Sequence, residues 1–394
     1  MVDSDETLNR QKLLITASYC ASFIAMGISM SSLGLTLDGL AENTRSTLTA
    51  ISILFTARSF GNLVGSVVIG RVYDRVEGNR VMAATILGLA LLTALTPLAT
   101  NLWLLTGILF LTGIVQGILN IGANLLLVWL HERNVGPFMS GLHFFFGFGT
   151  FIAPVIIAQL ITTGNGMGFT YLLLAVLILP SLVVALFPSP TSPLKGRKSA
   201  NEDFDGVLIT LIALVFGCYS GASLAYGGWI TTYVVETGLA DPTLAAYLTS
   251  AFWGALTVGR LVAIPLAARF KPQTILRADF FGALLSLLVL LIWPRSLAAV
   301  VITSVGVGFA LASIYPTTMS YAGDVMPING RVTGLFSIGN SIGAMIVPWA
   351  IGPLFETLGP RSMPAILLLD MLLALVVLAL LARRTARSPL PSQI

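Results

Sequence analysis

Twelve apolar runs, each long enough to cross a bilayer, constrain this chain more than any other feature. A helix crossing the hydrocarbon needs about 20 apolar residues. Such runs lie near 13–37, 47–72, 80–99, 102–129, 137–161, 169–187, 206–235, 243–266, 274–293, 298–322, 332–355 and 362–382. They are too long for barrel strands, which need only about 10 alternating residues. Charge is scarce to match: 21 Lys and Arg and 17 Asp and Glu among 394 residues, with 56% hydrophobic and a mean hydropathy of +0.91. A soluble fold of this size could not cover itself with so few charges, whereas lipid accepts an apolar exterior. The expected fold is an all-α polytopic membrane protein with twelve spans.

Several functions are excluded by what the chain lacks. Cys20 and Cys218 both lie inside apolar runs, so neither a disulfide framework nor a zinc site is built from them. His131 and His143 are too few for a histidine-rich metal centre. No HExxH, GxSxG or P-loop pattern occurs, which argues against an intramembrane enzyme and against direct ATP drive. No cofactor, metal or nucleic-acid partner is expected; the bilayer is the expected surrounding, and the oligomeric expectation is a monomer. The start, MVDSDETLNRQK, has no small-residue cleavage pattern, so the first run is expected to be a retained span.

Lysine and arginine set the orientation. With both termini in the cytoplasm, the cytoplasmic segments hold sixteen of them and the opposite loops three, Arg45, Arg295 and Arg361. Arg58 and Arg260 fall within spans. The predicted location is therefore the inner or plasma membrane with both ends cytoplasmic. Only 188–205 is a long, polar, proline-bearing connection, and it divides the chain into an N-terminal half (1–187) and a C-terminal half (206–394) of six spans each. A shift of 194 residues pairs Gly27 with Gly221, Gly34 with Gly228, Gly65 with Gly259, Gly88 with Gly282, Gly136 with Gly330 and Gly149 with Gly343. Six pairs exceed the roughly two that chance would give, and they point to an internal repeat.

The junction of spans 2 and 3 reads GRVYDR at 70–75, followed by Gly78 and Arg80. It resembles the G-x-x-x-D-R-x-G-R-K signature of the major facilitator superfamily, with one residue inserted so that Glu77 stands at the second glycine. A degenerate copy, IPLAAR at 264–269, keeps Arg269 but has Ala268 in place of the acid. The resemblance implies two pseudo-symmetric six-helix halves, a substrate site near the midplane between them, and alternating access. It casts Gly70, Asp74 and Arg75, with Arg133, as a gate on the cytoplasmic side. A positive-inside turn is the plainer reading of the same residues.

Longer stretches resemble the fucose-permease and sodium-dependent glucose transporter-like branch: 51–75, GPFMSGLHFFFGFGTFIAPVI (136–156), YSGASLAYGGWITTY (219–233), YPTTMSY (315–321) and GNSIGAMIVPWAIG (339–352). That branch implies uptake of a sugar or polyol coupled to a proton or sodium. Its members tend to carry acids in spans 4, 7 and 11, where this chain has Asn120, Ser223 and Ala344. Amides and hydroxyls bind sugar but take up no proton near neutral pH. An exporter of an amphipathic or lipid-like compound is the alternative.

Polar side chains in hydrocarbon are costly and face a bundle interior or a wet cavity. Gln116, Asn120 and Asn124 share one face of span 4 and either line a substrate cavity or bond a neighbouring helix. In span 7, Tyr219, Ser223, Tyr226 and Trp229 surround Gly227 and Gly228, which are expected to loosen the helix. Trp229 is either an interface-belt residue or a stacking platform for a sugar ring. Thr317 and Thr318 after Pro316, and Asn340 in span 11, complete the expected wall, with carbonyl capping and helix packing as the plainer roles. For ion coupling the candidates are Asp38, which serves equally as a solvated cap, and His143, which serves equally as a packing histidine. Arg58 is expected to pair with an acid or carbonyls. Asp370 is near the middle of span 12, which is peripheral in the fold that the resemblance implies; a partner not identifiable from the sequence, or a protonated state, explains it better than transport does. The pairs Gly61–Gly65, Gly113–Gly117 and Gly339–Gly343 are read as packing devices, with spans 2 and 11 free to slide.

Overall fold

The computed structural model describes residues 2–69, 76–164, 166–190, 205–328 and 330–387. Among them there is no strand, and twelve helices are long and apolar enough to span a membrane. These are α1 (Arg10–Leu35), α2 (Leu48–Ile69), α3 (Gly78–Leu98), α4 (Leu102–His131), α5 (Val135–Thr162), α6 (Met167–Leu186), α7 (Gly206–Glu236), α8 (Pro242–Ala267), α9 (Pro272–Ile292), α10 (Leu297–Val325), α11 (Arg331–Leu358) and α12 (Ser362–Thr385). Every expected span is present, with ends within three residues of the sequence reading.

Polar residues set the starts. Asn101 accepts from Trp103 N at 2.8 Å, Asp241 from Leu244 N at 2.8 Å, and Asp205 from Val207 N and Leu208 N at 3.1 Å each. Each satisfies amides that the first helical turn leaves unpaired. Two spans are interrupted. α1 stops at Leu35, and a short helix restarts at Leu37–Thr44. α10 breaks at Ala312–Ser313, just before Pro316, and the Asp279 carboxylate of α9 accepts the Ser313 hydroxyl at that break. α7 is continuous through Gly227 and Gly228, against the loosening expected of that pair. The glycines instead make room: a Cβ at Gly227 would lie 2.6 Å from the Trp253 ring, and one at Gly228 2.6 Å from Phe55.

The chain forms two compact units, Met1–Arg45 with Ala57–Arg197, and Ser46–Thr56 with Lys198–Ile394. In the first, α1 and α5 meet backbone to backbone, since a Cβ on Gly27 would fall 2.4 Å from Phe146 O and one on Gly149 2.3 Å from Ile24 O. α2 and α4 meet in the same way, Gly61 on Phe110 O and Gly113 on Arg58 O, each at 2.0 Å. The Gly61–Gly65 and Gly113–Gly117 pairs thus pack against each other. In the second unit α7 and α11 close on Gly217 and Gly343, 1.9 Å from a Cβ at Gly343 to Gly217 O, and α8 packs on α10 through Gly259 and Gly308. The 194-residue shift therefore maps Gly27 and Gly149 onto Gly221 and Gly343, which also face each other. Small residues let helices without a hydrophobic drive between them gain close van der Waals contact. α2 is divided between the units: its first turns lie on α11, with Gly352 against Ser52 and Thr56 Oγ1 donating to Met345 O at 3.1 Å.

Candidate functional site

In the second unit, α7 is buried almost along its length and carries the expected wall. Tyr219 is 8% exposed, its ring 6.0 Å from Tyr315 of α10, and its hydroxyl accepts from Arg260 of α8 at 3.5 Å. Phe216 packs between Tyr315 and Phe336 of α11 with tilted rings, at 5.0 and 5.4 Å. Phe216, Tyr315, Phe336, Ser337 and Asn340 border a cleft of about 30 Å³, with Tyr219 packed on Tyr315. That is room for a water or two. The lining is aromatic with amide and hydroxyl groups at its edge, a surface that stacks on a ring and bonds its hydroxyls.

Other expected residues of this unit are engaged elsewhere. Ser223 donates to Ser220 O at 3.3 Å, and Thr318 donates to Ile314 O at 2.7 Å. Thr317 is 7% exposed in the same helical segment. Trp229 takes neither role expected of it. It is fully buried between Phe55 and Phe355, at 6.0 and 5.6 Å, and its indole N–H donates to Pro348 O at 2.9 Å. A buried indole whose one donor is used by a backbone carbonyl is a packing group.

In the first unit the three residues of α4 separate. Asn120 and Asn124 are half-buried and bond each other, Asn124 Nδ2 donating to Asn120 Oδ1 at 2.9 Å and to Asn120 O at 2.8 Å. Gln116 is buried, and its amide is shared between Arg58 Nε at 3.0 Å and Ser29 Oγ at 3.2 Å. Arg58 also donates to Met30 O at 2.9 Å and Ser29 O at 3.3 Å. Its partners are thus the carbonyls of α1 and the α4 amide, and it ties three helices together. His143 packs edge-on against Phe23 at 5.7 Å. Asp38 stands in the first turn of Leu37–Thr44, where a negative charge meets the positive end of a helix dipole. Gly70, Asp74 and Arg75 lie outside the described residues, as does the side chain of Arg133.

Three residues have no counterpart in the sequence reading. Trp253 of α8 is 5% exposed with its indole N–H unbonded, beside Gly227. Asp279 holds the α10 break. Glu356 of α11 caps the start of α2 through Leu48 N and the Thr49 hydroxyl. Asp370, for which the sequence offered a partner or a protonated state, is 9% exposed and neighbours Cys218 of α7. Each is a single acid or aromatic with no local pattern, so only the packing reveals its partner. Among the described residues no group of three or more His, Cys, Asp or Glu could hold a metal ion.

The model of the Major Facilitator Superfamily matches residues 17–348. The Sodium-dependent glucose transporter 1 of Xenopus laevis is 28% identical over 82% of this chain and 72% of its own length. The Sodium-dependent glucose transporter 1A of Mus musculus is 26% identical over 84% of this chain and 87% of its own. Among solved structures, a mutant of the nucleoside transporter NupG superposes with a TM-score of 0.75 over 95% of this chain and 99% of that one, at 11% identity. At that identity the likeness shows the fold alone. The chain belongs to the Major Facilitator Superfamily, whose fold and twelve spans it has, and it is a multi-pass membrane protein and secondary transporter.

Proposed function

We propose that this transporter moves a small polar solute, a sugar or polyol, by alternating access across the cell membrane, with both termini in the cytoplasm. The observation that carries the reading is the cleft lined by Phe216, Tyr315, Phe336 and Asn340, an aromatic wall edged by neutral hydrogen-bonding groups. Such a wall suits a ring that stacks on one face and offers hydroxyls at its rim, and it offers no carboxylate to a cationic solute. The relatives named for glucose transport support the same class. The sixteen-to-three division of lysine and arginine supports the orientation. The cleft is too small for a hexose as it stands, so binding must widen it.

The test is counterflow of labelled glucose into proteoliposomes preloaded with unlabelled hexoses, pentoses, polyols or nucleosides. Trans-stimulated uptake with a hexose or polyol is expected. Stimulation by nucleosides alone, or by none of the panel, would overturn the sugar assignment.

A further inference from the structure

Asp370 sits about eight residues into α12, roughly 12 Å from its start at the helical rise. That places it well inside a hydrocarbon layer of about 30 Å. It is nine-tenths buried, and its Oδ2 has no hydrogen-bond partner among the described residues. α7 packs on α12, and its buried Cys218 thiol is the titratable neighbour of the carboxyl. The other helices packed on α12 bring their charges to its ends. α9 contributes Arg277, in a cleft with Leu378, Ala379 and Arg383 two turns or more away, and Asp279, which is held by Ser313. α11 contributes Arg331 and Glu356 at its two termini.

An ionised carboxylate in such a place, with one soft donor and no cation, is strongly disfavoured, and taking up a proton removes the cost. A sodium ion would want several oxygen ligands, and the thiol is a soft partner that supplies none. We infer that Asp370, paired with Cys218, is an exchangeable proton-binding site that couples proton movement to transport through α7. The coupling half of this inference rests on the transport reading above. Phe216, two residues before Cys218 on α7, lines the candidate cleft, so a change of charge at Asp370 acts on the helix that carries that wall. The step is a simple one: water-borne hydronium gives up a proton to the carboxylate when the site is wet, and the acid returns it on the other side. Asp370 thereby joins Asp38 and His143 as a coupling candidate, an acid of α12 buried in the unit where α12 packs on α7.

The full-length protein in liposomes is first studied by infrared difference spectroscopy across a pH titration, with no solute added. The carboxylic C=O band of a buried protonated acid is expected to titrate in the wild type and to be missing in Asp370→Asn. In Cys218→Ala, which keeps the acid, that band is expected to shift in frequency. Identical spectra in wild type and Asp370→Asn would overturn the site. Glucose transport supplies the second readout. An imposed proton gradient is expected to drive accumulation in the wild type and not in Asp370→Asn, which retains counterflow because exchange needs no net proton movement. Equal accumulation in both proteins, or accumulation that follows sodium and is lost in Asp370→Asn, would overturn proton coupling. If the wild type shows no glucose counterflow, the sugar reading fails, and the infrared titration still decides Asp370.

Discussion

Glu356 Oε1 of α11 accepts a hydrogen bond from Leu48 N, the first amide of α2, at 2.7 Å. The second oxygen takes the Thr49 hydroxyl, while Thr47 caps the same turn from within by accepting from Ala50 N at 3.1 Å. A helix start leaves four amides without partners. Here one of them is satisfied by an acid more than three hundred residues away, which also places a negative charge at the positive end of the helix. The first turns of α2 are therefore held to α11 by polar contacts at one end and by the Gly352–Ser52 contact further in.

Removing that acid frees the turn. Glu356 is exposed, so the loss belongs to the low end of the capping range, about 0.5–1 kcal/mol, or roughly two- to five-fold in local opening. In Glu356→Ala, hydrogen exchange of the peptide covering 46–56 is expected to quicken by that factor. Glu356→Gln, which keeps an acceptor without the charge, falls between. Unchanged exchange in both variants would show that Thr47 caps the turn alone.

Arg58 makes the opposite kind of contact, a half-buried fork that reaches three acceptors on two other helices. Arg58→Ala leaves Gln116 Oε1 and the carbonyls of Ser29 and Met30 without their donor, in surroundings with little water to replace it. A loss of roughly 2–4 kcal/mol is expected, given that single bonds inside membrane proteins average well under the aqueous expectation. Arg58→Lys recovers only part, because one ammonium cannot reproduce a planar fork reaching three acceptors. Thermal unfolding in detergent measures both variants. Stability within about 0.5 kcal/mol of wild type, the size of a surface change, would remove the pin.

The spans were legible because lipid writes its demand into every residue of a run: about twenty apolar positions in a row have few other uses. The glycine pairs were legible as contact points for a related reason, since a missing Cβ has a geometric consequence whatever helix lies opposite. What the sequence left open was the partner. Gln116, Asn120 and Asn124 share a helical face, and periodicity cannot tell that the first meets Arg58 while the other two bond each other. Gly227 and Gly228 read as a weak point, yet they are the recesses that admit Trp253 and Phe55. Trp229 was open between an interface-belt role and a sugar-stacking one, and it is fully buried among aromatic rings. Asp370 looked stranded only because its neighbour, Cys218, lies on a span 152 residues earlier. The spans come from local composition, whereas the site is made by contacts between distant segments.

That separation of the α4 residues predicts a separation of phenotypes. Tyr219→Phe and Asn340→Ala each remove one neutral bond to a hydroxylated solute, about 0.5–1.5 kcal/mol, so binding should weaken roughly 2- to 12-fold. Gln116→Ala should leave affinity unchanged and lower the melting temperature, since its amide serves Arg58 and Ser29. Concentration dependence of counterflow and thermal unfolding read the two effects. A large affinity loss in Gln116→Ala with normal stability would return that residue to the substrate.

Asp205 joins two roles at the start of α7, and pH separates them. Its Oδ1 accepts from Val207 N and Leu208 N, and Arg384 grips both oxygens, Nε to Oδ2 at 2.7 Å and Nη2 to Oδ1 at 2.9 Å. The Arg384 hydrogen bonds hold the Asp205 carboxyl below the ordinary carboxylate value, with the two backbone amides adding to the effect. A carboxyl depressed on folding contributes stability that is fully present above its unfolded value, about 3.9, and that is lost as pH falls through the folded value. The side chains are 37% and 43% exposed, so solvent screens the pair and its contribution is small. Asp205→Asn keeps a capping oxygen and loses the charge, and it should be less stable than wild type by that small amount at neutral pH. The gap should close as the pH is taken below about 4. Asp205→Ala loses the cap as well, about 1 kcal/mol more, and that part should persist at every pH because the amides it leaves unpaired do not titrate. Melting curves of the three proteins between neutral and acid pH make the comparison. A gap between wild type and Asp205→Asn that widens on acidification would mean that Arg384 does not hold the carboxylate in the folded protein.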